Sequence, residues 1–137
     1  MNEARDRGAA WFGDKFGASE EKSLREGFDV PEFGSETGKF AADFAFGTIW
    51  SREGLEPKQR SLVVLGILIA QRQVEELKLH VQVALANGLS VRDLEEVLYQ
   101  SVPYAGFPAA NTAKKAMIEA LTELGLMPPR EPAGATG

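Results

Sequence analysis

The chain has no cysteine and a single histidine, His80. The first absence excludes disulfides, thiolate nucleophiles, paired-cysteine redox chemistry and cysteine-ligated zinc. The second excludes a multi-histidine metal centre within one subunit, and the spacing of the carboxylates suggests no metal site of their own. Basic clusters are missing as well: 15 Lys and Arg stand against 20 Asp and Glu, a formal charge of −5. Without a basic stripe to neutralise phosphates, no nucleic-acid partner is expected. An anionic substrate would have to be held by a few local arginines working against the overall field. The longest apolar run, Leu62 to Ala70, is far shorter than the roughly 20 residues that span a bilayer, and the first seven residues lack the apolar stretch of a signal peptide. These absences predict a soluble, cytoplasmic protein with no membrane partner.

What remains is ordinary globular composition, 44% hydrophobic and 26% charged over 137 residues, enough for one domain with a real core. The apolar periodicity predicts an all-α bundle of five to six helices and no strand. A first amphipathic helix covers about 3–16, with Trp11, Phe12 and Phe16 together and Gly17 as its stop. Residues 18–35 carry Gly27, Pro31 and Gly34 and read as a connector with at most a turn of helix. A second helix covers about 36–50, where the weight of Phe40, Phe44, Phe46 and Trp50 points to core.

Pro57 suits the first turn of a helix that runs to about Arg72. Its middle is apolar nearly all round, which predicts burial on most sides, in a shared core or under an oligomer interface. The next helix, about 74–87, ends at Gly88, a left-handed stop. Ser90 and Asp93 form a capping-box pattern that starts a helix over about 91–105, which Pro103 should bend or end. A last helix from about Pro108 to Leu124 is closed by Gly125, Pro128 and Pro129. Residues 1–127 are thus expected to form a single domain, and 128–137 a disordered tail.

On the helix over 74–87, Glu76 and His80 are four apart and share a face, with Arg72 above them if the helix starts early enough. Val74, Leu77, Val81, Ala84 and Leu85 make one apolar face, and Leu79, Val83 and Ala86 a second. Packing of both would leave Glu76 and His80 in a groove, where a carboxylate beside an imidazole is poised for proton transfer. By spacing alone the same residues are more often an ordinary helix-surface ion pair. Arg52 and Arg60, which flank Pro57, are by default solvated or paired with Glu53 and Glu56. The stretch from Tyr104 to Pro108 is first of all a junction between helices.

Several ordered blocks add a resemblance. Gly47-Thr48-Ile49-Trp50-Ser51-Arg52-Glu53-Gly54-Leu55, Arg60-Ser61-Leu62, Glu75-Glu76-Leu77-Lys78-Leu79-His80, Asn87-Gly88-Leu89-Ser90 and Tyr104-Ala105-Gly106-Phe107-Pro108-Ala109-Ala110-Asn111 resemble the carboxymuconolactone decarboxylase pattern over about residues 36–124. The resemblance implies an all-helical carboxymuconolactone decarboxylase/alkylhydroperoxidase-like fold and a ring-like homo-oligomer, a trimer or hexamer. It implies active-site roles for Glu76, His80 and Arg60. The chain departs from the family decarboxylases at Thr48, where they often carry glutamate, and at Glu53, where they carry proline. The related branch with a CxxC pair ahead of its histidine is excluded by the lack of cysteine.

The implied reaction is cofactor-independent loss of CO₂ from 4-carboxymuconolactone, giving 3-oxoadipate enol-lactone in aromatic catabolism. Electrons from the broken C–C bond run through the ring alkene into the lactone carbonyl. His80 would be the acid, oriented by Glu76; Arg60 and Arg52 would grip the small anionic organic acid; Tyr104 would donate to the carbonyl. A paralogue acting on another carboxylated acid, or a non-enzymatic helical scaffold, are the alternatives.

Overall fold

The computed structural model describes residues 2–127; the expected tail, 128–137, lies outside them. All its regular elements are helical: α1 Glu3–Phe16, α2 Ala18–Gly27, α3 Glu36–Phe40, which runs straight into a π-helical segment Ala41–Ile49, α4 Pro57–Ala70, α5 Val74–Ala86, α6 Val91–Ala105 and α7 Phe107–Glu123. The chain divides into two compact units, one of residues up to Arg60 with Ala86–Gly88, the other of Ser61–Leu85 with residues from Leu89 on.

In the first unit α1 starts with the Asn2 side chain accepting from the Ala4 and Arg5 amides, and Gly17 ends it at φ 110°. The stretch read as a connector is in fact the ten-residue helix α2. Most of its residues are good helix formers, and Glu21 accepts from Arg25 one turn on at 2.8 Å. It left no apolar signal because Leu24 is the one large apolar residue it presents, packed against the small core of Ala9, Phe28 and Ala42.

The segment Ala41–Ile49 follows i→i+5 bonding, with the Trp50 amide donating to the Ala45 carbonyl at 2.9 Å. Thr48 and Ser51 repeat that step with their hydroxyls, donating to the carbonyls of Asp43 and Phe46. Residues five apart therefore stack, and Ala42 and Gly47 form the buried line. Phe40 and Phe44 are left 61% and 64% exposed, against their expected place in the core. Phe46 and Trp50 do pack, each against Trp11, with ring centroids 4.8 and 5.2 Å apart.

α1 crosses this segment at backbone distance. A Cβ on Gly8 would lie 1.9 Å from the Ala42 carbonyl oxygen, and one on Gly47 1.9 Å from that of Ala4. Arg5 seals the crossing with two hydrogen bonds to Asp43, at 2.8 and 2.9 Å, and Arg7 donates to the Gly47 carbonyl at 2.8 Å.

The second unit holds the larger core, built from Leu65 and Ile69 of α4, Leu77, Val81 and Ala84 of α5, Leu94 of α6 and the alanine-rich side of α7. The Ser90–Asp93 capping box starts α6 as its sequence announces, and α6 ends at Ala105, two residues past Pro103. For α4, of the two expected covers, the shared core reaches only one side: Ser61, Leu65 and Ile69 bury one line of it, but Leu62, Val63 and Ile67 are 42%, 54% and 49% exposed among the described residues.

Substitution at the crossing should be costly. Gly47→Ala is expected to lower unfolding free energy by about 3 kcal/mol in chemical denaturation, because two backbones must part to admit one methyl. Gly38→Ala in α3, whose added Cβ meets only Leu24 at an ordinary 3.7 Å, should be neutral or stabilising by up to about 1 kcal/mol.

Candidate functional site

Five residues singled out by the sequence fall into two groups. Arg52 and Arg60 belong to the first unit, and Glu76, His80 and Tyr104 to the second.

Glu76 and His80 sit one turn apart on α5, whose start fixes their register. The chain turns at Gln71 and Arg72, where Arg72 takes φ 56°, before the helix begins at Val74. Arg72 therefore does not extend the row. The left-handed residue breaks the helical spacing that placed it above Glu76.

Leu77, Val81 and Ala84 bury one side of α5 as the periodicity predicts. The second apolar face is only partly covered: Val83 is buried, while Leu79 is 48% exposed and Ala86 is exposed. On the other side of α5, Glu75, Lys78 and Gln82 lie toward α7, with Glu75 still exposed. Lys78 pairs with Glu119 at 2.8 Å, and Glu75, Lys78 and Gln82 line a cavity of about 300 Å³ with Ala120 and Glu123. A larger cavity, about 650 Å³, runs along α7 past Asn111, Lys114, Lys115 and Thr122; Glu76 and His80 are not among its walls. The sequence reading missed it, although the three- and four-residue spacing of those polar side chains marks one face of α7.

Glu76 is exposed and His80 is half-buried. Burial pushes the His80 imidazole below its ordinary 6.5, and the nearby Glu76 charge opposes that shift without overcoming it. The imidazole is thus held mainly neutral near pH 7. An anion arriving beside it would favour the protonated form.

Tyr104 lies in the last turn of α6, 87% exposed, its phenol available to any approaching group. Arg60 is in the first turn of α4. Its Nη2 donates to the backbone carbonyls of Arg52, at 3.1 Å, and Glu53, at 3.2 Å. Its Nε is buried with no partner among the described residues. The structure therefore links Arg52 and Arg60, but through a main-chain carbonyl. It leaves neither paired with the Glu53 or Glu56 carboxylates that spacing suggested, among the ion pairs of the described residues.

Among the described residues no group of three or more His, Cys, Asp or Glu is placed to hold a metal ion, and no helix is long and apolar enough to cross a membrane.

Because His80 is the chain's one imidazole, its titration is directly readable by NMR. The midpoint should fall below 6.5, and Glu76→Gln should lower it further by removing the opposing charge. The sign for stability follows. Above 6.5 the imidazole is neutral in both states; as pH falls through 6.5 the unfolded chain takes up a proton that the folded one accepts only at lower pH, so stability drops. Thermal melts should show that drop in wild type and lose it in His80→Asn.

Comparison with known proteins places the chain. The model of the carboxymuconolactone decarboxylase family matches residues 35–119, which include Arg52, Arg60, Glu76, His80 and Tyr104. A 4-carboxymuconolactone decarboxylase of Acinetobacter baylyi is 34% identical over 100 residues, covering 73% of this chain and 75% of that one. A nitrosuccinic acid decarboxylase of Metarhizium robertsii is 36% identical over 89 residues, 65% of this chain and 60% of that one. An uncharacterised 15.0 kDa protein of Paracoccus denitrificans is 36% identical over 70 residues, half of each chain. With its all-helical fold, its ordered motif blocks and no cysteine, the chain belongs to the carboxymuconolactone decarboxylase family.

Proposed function

We propose that this protein is a cofactor-independent carboxy-lyase acting on a small organic acid in which the departing carboxylate sits on a saturated carbon attached, directly or through an alkene, to an electron-accepting group. The observation that carries the reading is the half-buried His80 with Glu76 one helical turn away. Two relatives named as decarboxylases support it. 4-Carboxymuconolactone is the substrate favoured by the longer of those matches. The nitrosuccinic acid relative favours a second, in which a nitro group takes the place of the unsaturated lactone as electron sink.

The steps balance without an added reagent. The C–CO₂⁻ bond breaks and CO₂ leaves. Its electron pair passes into the lactone, giving a dienolate, or into the nitro group, giving a nitronate. The His80 imidazolium protonates carbon and is recharged from solvent. Glu76 favours the charged imidazole, and the Tyr104 hydroxyl is assigned to the developing oxyanion. Arg52 and Arg60 are assigned together to recognition of the substrate's carboxylates, which in an acidic protein needs local cationic groups. The exposed Leu62, Val63 and Ile67 of α4 support a homo-oligomer, a trimer or hexamer, in which a second copy covers them. The cytoplasm is the proposed location.

Release of CO₂ from 4-carboxymuconolactone and from nitrosuccinate tests the reading. Release from either is expected; none from either, with the protein folded and assembled, would leave a paralogue acting on another acid or a scaffold. His80→Ala should retain the fold and lose about 100-fold or more in kcat, the usual scale of one general acid. Since burial holds His80 low in the free enzyme, kcat/KM should fall as pH rises through a value below 6.5. The limb for kcat should lie at higher pH, because bound anionic substrate stabilises the imidazolium. Coincident limbs would remove His80 from the proton transfer.

A further inference from the structure

We infer that Arg60 is a positioning residue: its guanidinium clamps the backbone of the loop over 51–56, and through it Arg52, the residue left to meet the substrate. The inference deepens the carboxylate-binding role assigned above to the two arginines and rests on that reading only in its second test.

The loop before α4 has little else to hold it. Every residue from Ser51 to Glu56 is exposed, Leu55 included, so no apolar burial fixes the backbone. Gly54 at φ 113° adds a position with wide conformational freedom. The loop is tied at its ends. Ser51 donates its hydroxyl to the Phe46 carbonyl, the Arg52 amide reaches the Ile49 carbonyl at 3.2 Å, and the Glu56 amide donates to the Gln59 side chain at 2.9 Å.

Between those ends, the carbonyls of Arg52 and Glu53 both accept from one atom, Arg60 Nη2. A charged donor shared by two carbonyls is stronger than a neutral bond, and it bridges consecutive peptide units, which limits rotation of both. The partly buried Arg60 head, with its Nε enclosed, behaves as a fixed strut rather than a swinging surface arm. The strut grows from the first turn of α4, so the loop takes its position from a helix rather than from itself. Arg52, by contrast, is exposed, and its carbonyl is the group that Arg60 holds. The division of labour follows: one arginine fixes the backbone, and the other, carried on that backbone, presents its guanidinium outward.

Two measurements test this. The first is limited digestion with a glutamate-specific protease, read at the bond after Glu53. Arg60→Ala should speed that cleavage tenfold or more while leaving cleavage after Glu32 unchanged, and Arg60→Lys, which keeps a cationic donor, should restore part of the protection. Equal rates at Glu53 in wild type and Arg60→Ala would overturn the clamp, as would acceleration equal at both sites, which signals global destabilisation.

The second is a double-mutant cycle on KM for 4-carboxymuconolactone. If Arg60 acts through Arg52, Arg60→Ala raises KM in the wild-type background and adds less than twofold once Arg52 is already alanine. Independent, multiplying increases would show that Arg60 itself touches substrate, and would overturn the positioning role. Absence of turnover of 4-carboxymuconolactone in wild type would exclude that substrate alone, and the protease result would still decide the clamp.

Discussion

Two backbones meet without side chains between them where α1 crosses the π-helical segment, and the first unit is arranged around that contact. Gly8 lies against the Ala42 carbonyl and Gly47 against that of Ala4, each at a distance no Cβ allows. Such an approach is unforgiving, so the crossing fixes how the segment leaves the contact and where the next residues begin. The Arg5–Asp43 pair and the Arg7 bond to Gly47 surround it with charge-assisted hydrogen bonds. Arg5 holds the Asp43 carboxyl below the usual carboxylate range, so the seal persists unless the medium is strongly acidic.

The candidate chemistry is governed by a different balance, between desolvation and charge at His80. Burial takes the imidazole down and Glu76 pushes it back, with burial the stronger. On the proposed reading, a proton donor set this way is weakly occupied at rest and would be charged by the substrate's own anion. The arrangement couples binding to readiness: the proton is favoured where an anion has arrived to use it.

Much of this was readable from residues. Pro57, Gly88, the Ser90–Asp93 box and Gly106 mark helix ends by local stereochemistry, and each end lies within a residue or two of its place. The pairing of Glu76 with His80 follows from a spacing of four on one helix. Three things escaped, each because the information was not periodic in hydrophobicity. α2 buries too little to leave a pattern and is held by Glu21 and Arg25. The π segment changes which residues share a face, so Phe40 and Phe44 turn outward although a 3.6-residue repeat would bury them. The bonds of Arg60 to the main-chain carbonyls of Arg52 and Glu53 carry no side-chain signature, so the spacing did not announce them.

The five-residue step between Ala42 and Gly47 has a further consequence for how this stretch tolerates change in length. An α-helix aligns residues three or four apart, whereas here five intervals bring the two contact points into line. Loss of one residue between them would let the segment revert to ordinary α-helical bonding and still present both small residues to α1. A deletion inside a helix normally swings everything downstream by about 100°, given 3.6 residues per turn. At this place it would be absorbed, so the segment can change length by one residue and keep its closest contact.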